Sequence, residues 1–275
     1  MTDQPRVANR GMRAIYNARR GPVAGRRRAL FFLAGILTGS LHSGHLLAAC
    51  EDPAGPGVNW SRCDLRGVDL SGANLTRATL GRADLSEANL QGANLRGADL
   101  SFVNLEQADL QRAHLEQANL TGANLRSANL DAARMSRLRA NRADFRSAIL
   151  TNADLQDSDF YDSRFQQANL DGASLTRARL ELADLTNATL TRTDFSNARL
   201  ARARLEGANL RGASMVKAQL NRAVLIDADL RNADLTGANL SEADITGADL
   251  TDAVLGNASW TDRRRCRPGS VGQCD

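Results

Sequence analysis

Four cysteines are the side chains of this chain best suited to covalent chemistry: Cys50, Cys63, Cys266 and Cys274. A thiol serves as nucleophile, metal ligand or disulfide partner, and its surroundings decide which. Nucleophilic and zinc-binding uses need histidines or further ligands, and the chain has only three His. His42 and His45 precede Cys50, while His114 stands alone at an outward, solvated position of a repeat. Cys266 and Cys274 flank a Pro-Gly turn without zinc-ligand partners. Carboxylates recur at outward repeat positions, so some pair lies at any chosen spacing, which is no signature of acid–base catalysis. No HExxH, no GxSxG and no glycine-rich phosphate loop is present. The chain is therefore expected not to be an enzyme, and to hold no cofactor and no metal.

What must position the cysteines is the stretch between them. Residues 61–260 fall into forty blocks of five with no insertion, as in GRADL-SEANL-QGANL-RGADL over 81–100. The fifth residue is Leu in 31 blocks, with Phe145, Phe160, Phe165, Phe195, Met135, Met215, Ile245, Ala140 and Trp260 in the rest. The third is Ala in 33, the exceptions being Cys63, Val68, Val103, Leu138, Ser158, Ser163 and Thr193. A helix would turn about 500° per block and smear the leucines around its surface, leaving no stripe to bury. If each block is instead one side of a square coil, the third and fifth residues point inward and the other three outward. Short fixed periods of this kind mark solenoids, whose core exists only through stacking.

The A(D/N)LXX unit resembles the pentapeptide-repeat family across all forty blocks. That resemblance implies an all-β fold, a right-handed quadrilateral β-helix with four blocks per coil and hence about ten coils. At about 4.8 Å per coil such a rod is on the order of 45–50 Å long. Each coil buries about four Leu and four Ala, on the order of 10 kcal/mol gross, largely offset by backbone entropy. Stability must come from many coils acting together.

With 43% hydrophobic and 4% aromatic residues, the core is thin and aliphatic. The net charge of +4 misdescribes the rod. Residues 61–260 carry 23 Lys+Arg against 26 Asp+Glu. The positive excess lies outside, as eight Arg and three acids in residues 1–60 and four Arg and two Asp after 260. No basic nucleic-acid-binding face is expected.

Residues 1–49 read as a signal peptide: a leader ending in Arg26-Arg27-Arg28, the apolar ALFFLAGILTGSL over 29–41, then HSGHLLAA. Arg27-Arg28-Ala29-Leu30-Phe31 loosely matches a twin-arginine signal, and Met12 is a second candidate start. The alternative is a membrane anchor over 29–49, which its Gly, Ser and two His make a poor one. Residues 50–60 form an N-terminal cap and lead-in, where the Pro and Gly of EDPAGPGVN exclude helix. Residues 261–275 form a C-terminal cap.

Cys50 has two readings. Leu47-Ala48-Ala49-Cys50 fits the bacterial lipobox, which would make Cys50 a lipidated N-terminus. Four cysteines in an exported chain otherwise make two disulfides, here one local pair at each end of the repeat. Trp60 and Trp260 both hold the fifth slot, so each end reads as a Trp lid beside a Cys pair. Terminal coils need such caps because they expose core and unpaired edges. A Trp-capped end is also a surface on which a second copy would stack as a homodimer.

Block 136–140, SRLRA, inverts the pattern with Leu138 in the small slot and Ala140 in the large one, at roughly constant volume. Arg134, Arg137, Arg139, Arg142 and Arg146 surround it, either as solvated surface at a local bend or as an interaction patch for an acidic partner. Phe145 and Phe165 are twenty residues apart and should stack, with Ser158, Ser163 and Thr193 leaving room for the rings that follow them. Fourth-position charges alternate at every twentieth residue in Asp144, Arg164, Asp184, Arg204 and in Arg139, Asp159, Arg179, which favours this register. Arg199 breaks the second series.

Two functions follow as expectations. The first is a non-catalytic exported structural or protein-interaction solenoid of the bacterial cell envelope, periplasmic or extracellular. Its partner is an unknown protein, and its only membrane contact is the leader or a lipid on Cys50. The second comes from the resemblance, since some pentapeptide-repeat proteins imitate DNA and bind DNA gyrase. That role wants a strongly acidic, cytoplasmic rod, so the near-balanced charge and the leader favour the first.

Overall fold

The computed structural model describes residues 50–275, so the signal peptide, the anchor alternative, His42 and His45 lie outside the described residues. The chain coils with a strict twenty-residue register. Each fourth-position residue forms a parallel bridge to the one twenty ahead, from Asn59↔Thr79 through Asn239↔Ser259. Four blocks thus make one turn, and the rod has four sides. The first side is built from blocks 61–65, 81–85 and so on, the second from 66–70, the third from 71–75 and the fourth from 76–80.

Each corner is a β-turn. Ala88 N–H donates to the Leu85 carbonyl at 3.1 Å, and Glu87 between them has φ 59°. All forty second positions are left-handed, from 53° at Ala132 to 71° at Gly247. A positive φ at the third residue of a turn marks type II and suits Gly or Asn. Thirty of the forty are not Gly, each at a backbone cost of roughly 1–2 kcal/mol. Bonds between coils offset that cost. Glu87 N–H donates to Glu106 O at 2.9 Å, Leu85 N–H to Asn104 O at 2.7 Å, and Asn104 N–H back to Ala83 O at 3.0 Å.

One amide per block, that of the first position, has no carbonyl in this scheme. Where the residue two before it is Asp or Asn, that side chain supplies the missing acceptor, as when Ser86 N–H donates to Asp84 Oδ1 at 3.1 Å. Such local side-chain bonds are what Asx residues do at turns, and they give a physical reason for Asp or Asn just before the Leu.

Inside, third and fifth residues are buried without exception from Leu75 to Leu240. Leu65, Val68 and Ala73 at one end, and Ile245, Ala248, Leu250 and Trp260 at the other, are only partly buried. Phe145 and Phe165 stack as expected, with centroids 4.7 Å apart and planes 2° from parallel. Phe160 meets them edge-on at 5.8 and 5.4 Å.

The inverted block leaves the ladder unbroken, since Arg139 bridges both Asn119 and Asp159. Its turn differs. Where Ala133 N–H donates directly to Leu130 O at 3.0 Å, Leu138 N–H donates to Ser158 Oγ at 3.2 Å. That hydroxyl in turn donates to Met135 O at 2.8 Å. Ser158 therefore does more than leave room for Phe160, because it relays a turn bond one coil away. Ser158→Ala is expected to cost about 1–3 kcal/mol, the penalty for a buried amide and carbonyl losing their partner. Ser163→Ala should cost less than about 1 kcal/mol, since Ser163 Oγ donates at 2.6 Å to a Phe160 carbonyl that also accepts from Ser163 N–H at 3.2 Å. Urea midpoints of the two variants measure the difference, and equal losses would contradict the relay.

Candidate functional site

The two ends are closed by different means. At the N-terminal end Cys50 is bonded to Cys63, which pins the lead-in to the first block. Trp60 is 4% exposed, its indole N–H donating to Asp52 O at 3.2 Å and its amide to Thr79 O at 2.8 Å. A lipid on Cys50 would need the sulfur that this disulfide engages, so the two states exclude one another.

At the C-terminal end Thr261 begins a further turn, accepting from Glu242 N–H at 2.9 Å. The chain then reverses at Arg263, whose φ is 71°, with Trp260 N–H donating to Arg264 O at 2.8 Å. It runs back antiparallel beneath the fourth side at Ser259↔Arg265 and beneath the third at Val254↔Val271. Cys266 N–H donates to Ala258 O, and Leu255 N–H to Ser270 O. The Cys266–Cys274 disulfide joins the tail to itself and not to the rod. Trp260 stays half-buried, a looser lid than Trp60.

Glu242 helps hold this tail. Its carboxylate accepts from Arg222 Nε at 2.6 Å and from the Arg263 guanidinium. The Arg222 bond, followed by the Arg263 bond, brings its pKa down to about 2. A carboxyl depressed in the folded state stabilises above its unfolded pKa of about 4.3 and loses that effect as pH falls. Exchange protection of the Leu255 and Cys266 amides, corrected for intrinsic rates, is therefore expected to fall between about pH 4 and pH 2. Glu242→Gln should remove that pH dependence, and a tail equally protected across the range would contradict the tether.

The sides differ in charge. The fourth carries eight Lys/Arg against four Asp/Glu, and the opposite second side three against eight. Several cations of the fourth side are internally paired, including Arg177 with Asp157 at 2.6 Å and Arg179 with Asp159 at 2.8 Å. Arg199, which breaks the alternation along its column, faces a corner acid: its Nε lies 2.7 Å from Glu181 Oε1, and Arg179 Nε lies 3.8 Å from the other oxygen. Asp144 turns to Arg146 at 2.5 Å, whereas Arg204 keeps Asp184 at 3.6 Å.

The five arginines around the inverted block do not form one patch. Arg134 lies on the third side, Arg137 and Arg139 on the fourth, Arg142 on the first and Arg146 on the second. A segment of this length winds through more than half a coil, so the rod separates what the sequence brings together. Arg142 also pairs with Asp162 at 3.4 Å. His114 is likewise partnered: its Nδ1 lies 2.7 Å from the Arg96 guanidinium and 3.7 Å from Glu116.

Among the described residues no group of three His, Cys, Asp or Glu is placed to hold a metal ion, and no helix is long and apolar enough to cross a membrane. The arrangement is a four-sided β-solenoid with columns of outward side chains and an interior filled mainly by Leu and Ala. Family models for pentapeptide repeats match residues 63–101, 98–137 and 218–257, and one for a pentapeptide repeat region matches 138–215. The chain belongs to the pentapeptide-repeat family.

Among solved structures it is similar to HetL, a pentapeptide repeat protein involved in heterocyst differentiation regulation in the cyanobacterium Nostoc sp. strain PCC 7120. The two are 34% identical over 76% of this chain and 90% of HetL, with a TM-score of 0.41. It is similar also to QnrB1, a plasmid-mediated fluoroquinolone resistance protein, at 17% identity over 62% and 87% of the two chains and a TM-score of 0.48. A pentapeptide repeat protein of the Arabidopsis thaliana thylakoid lumen is 31% identical over 42% and 68%, with a TM-score of 0.30. No curated protein matches the chain.

Proposed function

We propose that this protein is a non-catalytic interaction rod of the bacterial cell envelope, carried across the membrane by its leader and periplasmic or extracellular when mature. The observation that carries the reading is the pairing of all four cysteines into one disulfide at each end. Such bonds persist in oxidising compartments and are rare in the cytosol. The Arg-rich leader and apolar segment ahead of Cys50 support the same compartment. Its partner is another protein, met along columns of outward polar side chains stacked about 4.8 Å apart. A form anchored through a lipid on Cys50 is the alternative, and it requires that the Cys50–Cys63 bond be absent. Fractionation of cells making the full chain, with alkylation of thiols at lysis, tests the proposal. Protein in the periplasm or medium that resists alkylation supports it, and a cytosolic protein with four alkylated thiols overturns it.

The gyrase-binding reading has one feature in its favour, the acidic second side. Against it stands the excess of Lys and Arg on the opposite side. A rod that inhibited gyrase supercoiling at low micromolar concentration would reverse this order.

A further inference from the structure

We propose that the corner between the fourth and first sides is a docking ridge that lays the rod lengthwise on an anionic lipid surface. It adds a membrane contact to the leader and the Cys50 lipid, and it belongs to the outer surface of the rod, independent of export and of any protein partner. The second positions of the first-side blocks line this corner, one per coil from Arg62 to Glu242 over on the order of 45 Å. Five of the ten are Arg, two are Phe102 and Leu182, and two are acids. The next corner, from Gly67 to Gly247, holds no cation and no large apolar side chain at its second positions.

Phe102 and Leu182 are out of place by the rules of the fold. Both are left-handed, at φ 55° and 62°, and they are the two large apolar residues among the thirty non-glycine second positions. Left-handed backbone disfavours bulky side chains, and neither gains burial in return, being 57% and 41% exposed. The Arg82 guanidinium lies over the Phe102 ring at 5.6 Å, but at an exposed site that contact is weaker than the left-handed cost. The ring extends over Gly122, where a Cβ would come within 2.6 Å of it, so it lies along the crest of the corner. Strain kept without a structural gain points to a function.

Charge names the sign of the partner. Arg142 and Arg222 are tied to Asp162 and Glu242, whereas among the described residues Arg62, Arg82 and Arg202 are exposed and pair with no carboxylate. The first and fourth sides, which meet at the ridge, together carry fifteen Lys/Arg against twelve Asp/Glu, and the second and third eight against fourteen. The rod is polarised across its diagonal, so an anionic surface draws this corner inward and turns the opposite one to solvent. Shape then selects lipid. The corner of a square rod is convex, and a protein would need a trough of matching length to receive it. A lipid surface deforms around a ridge. Its phosphates meet the guanidinium groups, and its acyl boundary receives Phe102 and Leu182, four coils or about 19 Å apart.

Flotation with vesicles of equal parts phosphatidylglycerol and phosphatidylcholine tests the ridge, with phosphatidylcholine alone as reference. The full chain is used throughout, so that any contribution of the leader is common to every variant. Partition onto the anionic vesicles that weakens with salt is expected. Arg82→Gln and Arg202→Gln should each lower it about fivefold, while Arg112→Gln and Arg211→Gln on the opposite corner leave it unchanged. Phe102→Asn combined with Leu182→Asn should lower it about tenfold. The urea midpoint of that pair should stay equal or rise, because Asn tolerates left-handed backbone, which separates lost docking from lost folding. Binding no greater than to phosphatidylcholine alone, an equal loss from the arginines of the opposite corner, or partition that the Asn pair leaves unchanged would each overturn the proposal. So would an acidic protein held by the ridge of a rod without affinity for lipid.

Discussion

Phe165→Ala should lower the stability of the rod by about 3–5 kcal/mol, the range for deleting a buried aromatic ring whose site cannot collapse. Phe165 is wholly buried, stacked on Phe145 at 4.7 Å and edge-on to Phe160 at 5.4 Å. Aromatic pairs of this geometry contribute about 0.5–1.5 kcal/mol beyond their area. The neighbouring coils are fixed by ladder bonds on both faces and have little freedom to fill the void, so the loss should lie toward the upper end. In a solenoid each coil contacts only its neighbours, and damage in the middle separates two halves that had unfolded as one. Denaturant unfolding should therefore show both a lower midpoint and a broader transition. A loss below about 1 kcal/mol would mean that the coil closes around the gap and that the core is far softer than its packing indicates.

The second large effect is expected at the N-terminal end. Replacing Cys50 and Cys63 together by Ala should cost about 3 kcal/mol, the chain-entropy value for a loop of roughly this size, the two being 13 residues apart. The effect should be local as well as global. Without the bond the lead-in is held mainly by the indole N–H of Trp60 on Asp52 and by backbone bonds such as Gly57 N–H to Thr76 O. Trp60 should become accessible, read as a red-shifted emission and quenching by acrylamide, while Trp260 keeps its signal. The matching pair Cys266→Ala and Cys274→Ala should cost less, because that bond closes a shorter loop of 8 within the tail alone. Equal losses at both ends would contradict the difference between the caps.

Much of this architecture is legible in the residues, for a physical reason. A five-residue period suits neither helix nor flat strand, so strict Leu and Ala spacing calls for a coil that turns both inward, and the family resemblance supplies four blocks to each turn. The twenty-residue coil then makes Phe145 and Phe165 neighbours, and the structure stacks them. Local pairing of the cysteines is one of the two readings the sequence offers for Cys50, since each pair sits beside one end of the repeat, and the structure pairs them so.

What escaped has physical causes too. The Arg cluster around Leu138 reads as a patch only while the chain is imagined straight, and the same coil period that stacks the phenylalanines scatters the arginines. Glu181 answers Arg199 from a corner position, outside the fourth-position column whose alternation Arg199 breaks. Ser158 relays a bond between two residues of the preceding coil, and its sequence signal was only a Ser in place of Ala twenty residues after Leu138. The path of the tail could not be read from a period, because residues 261–275 have none.

The intact mass of the mature protein, made with its own leader in a bacterial host and compared before and after reduction, tests the central claim most directly. A disulfide-capped, exported rod predicts a chain shortened to begin at or near Cys50, unmodified, that gains four hydrogens on reduction of its two disulfides. A full-length chain whose mass does not change on reduction would contradict it.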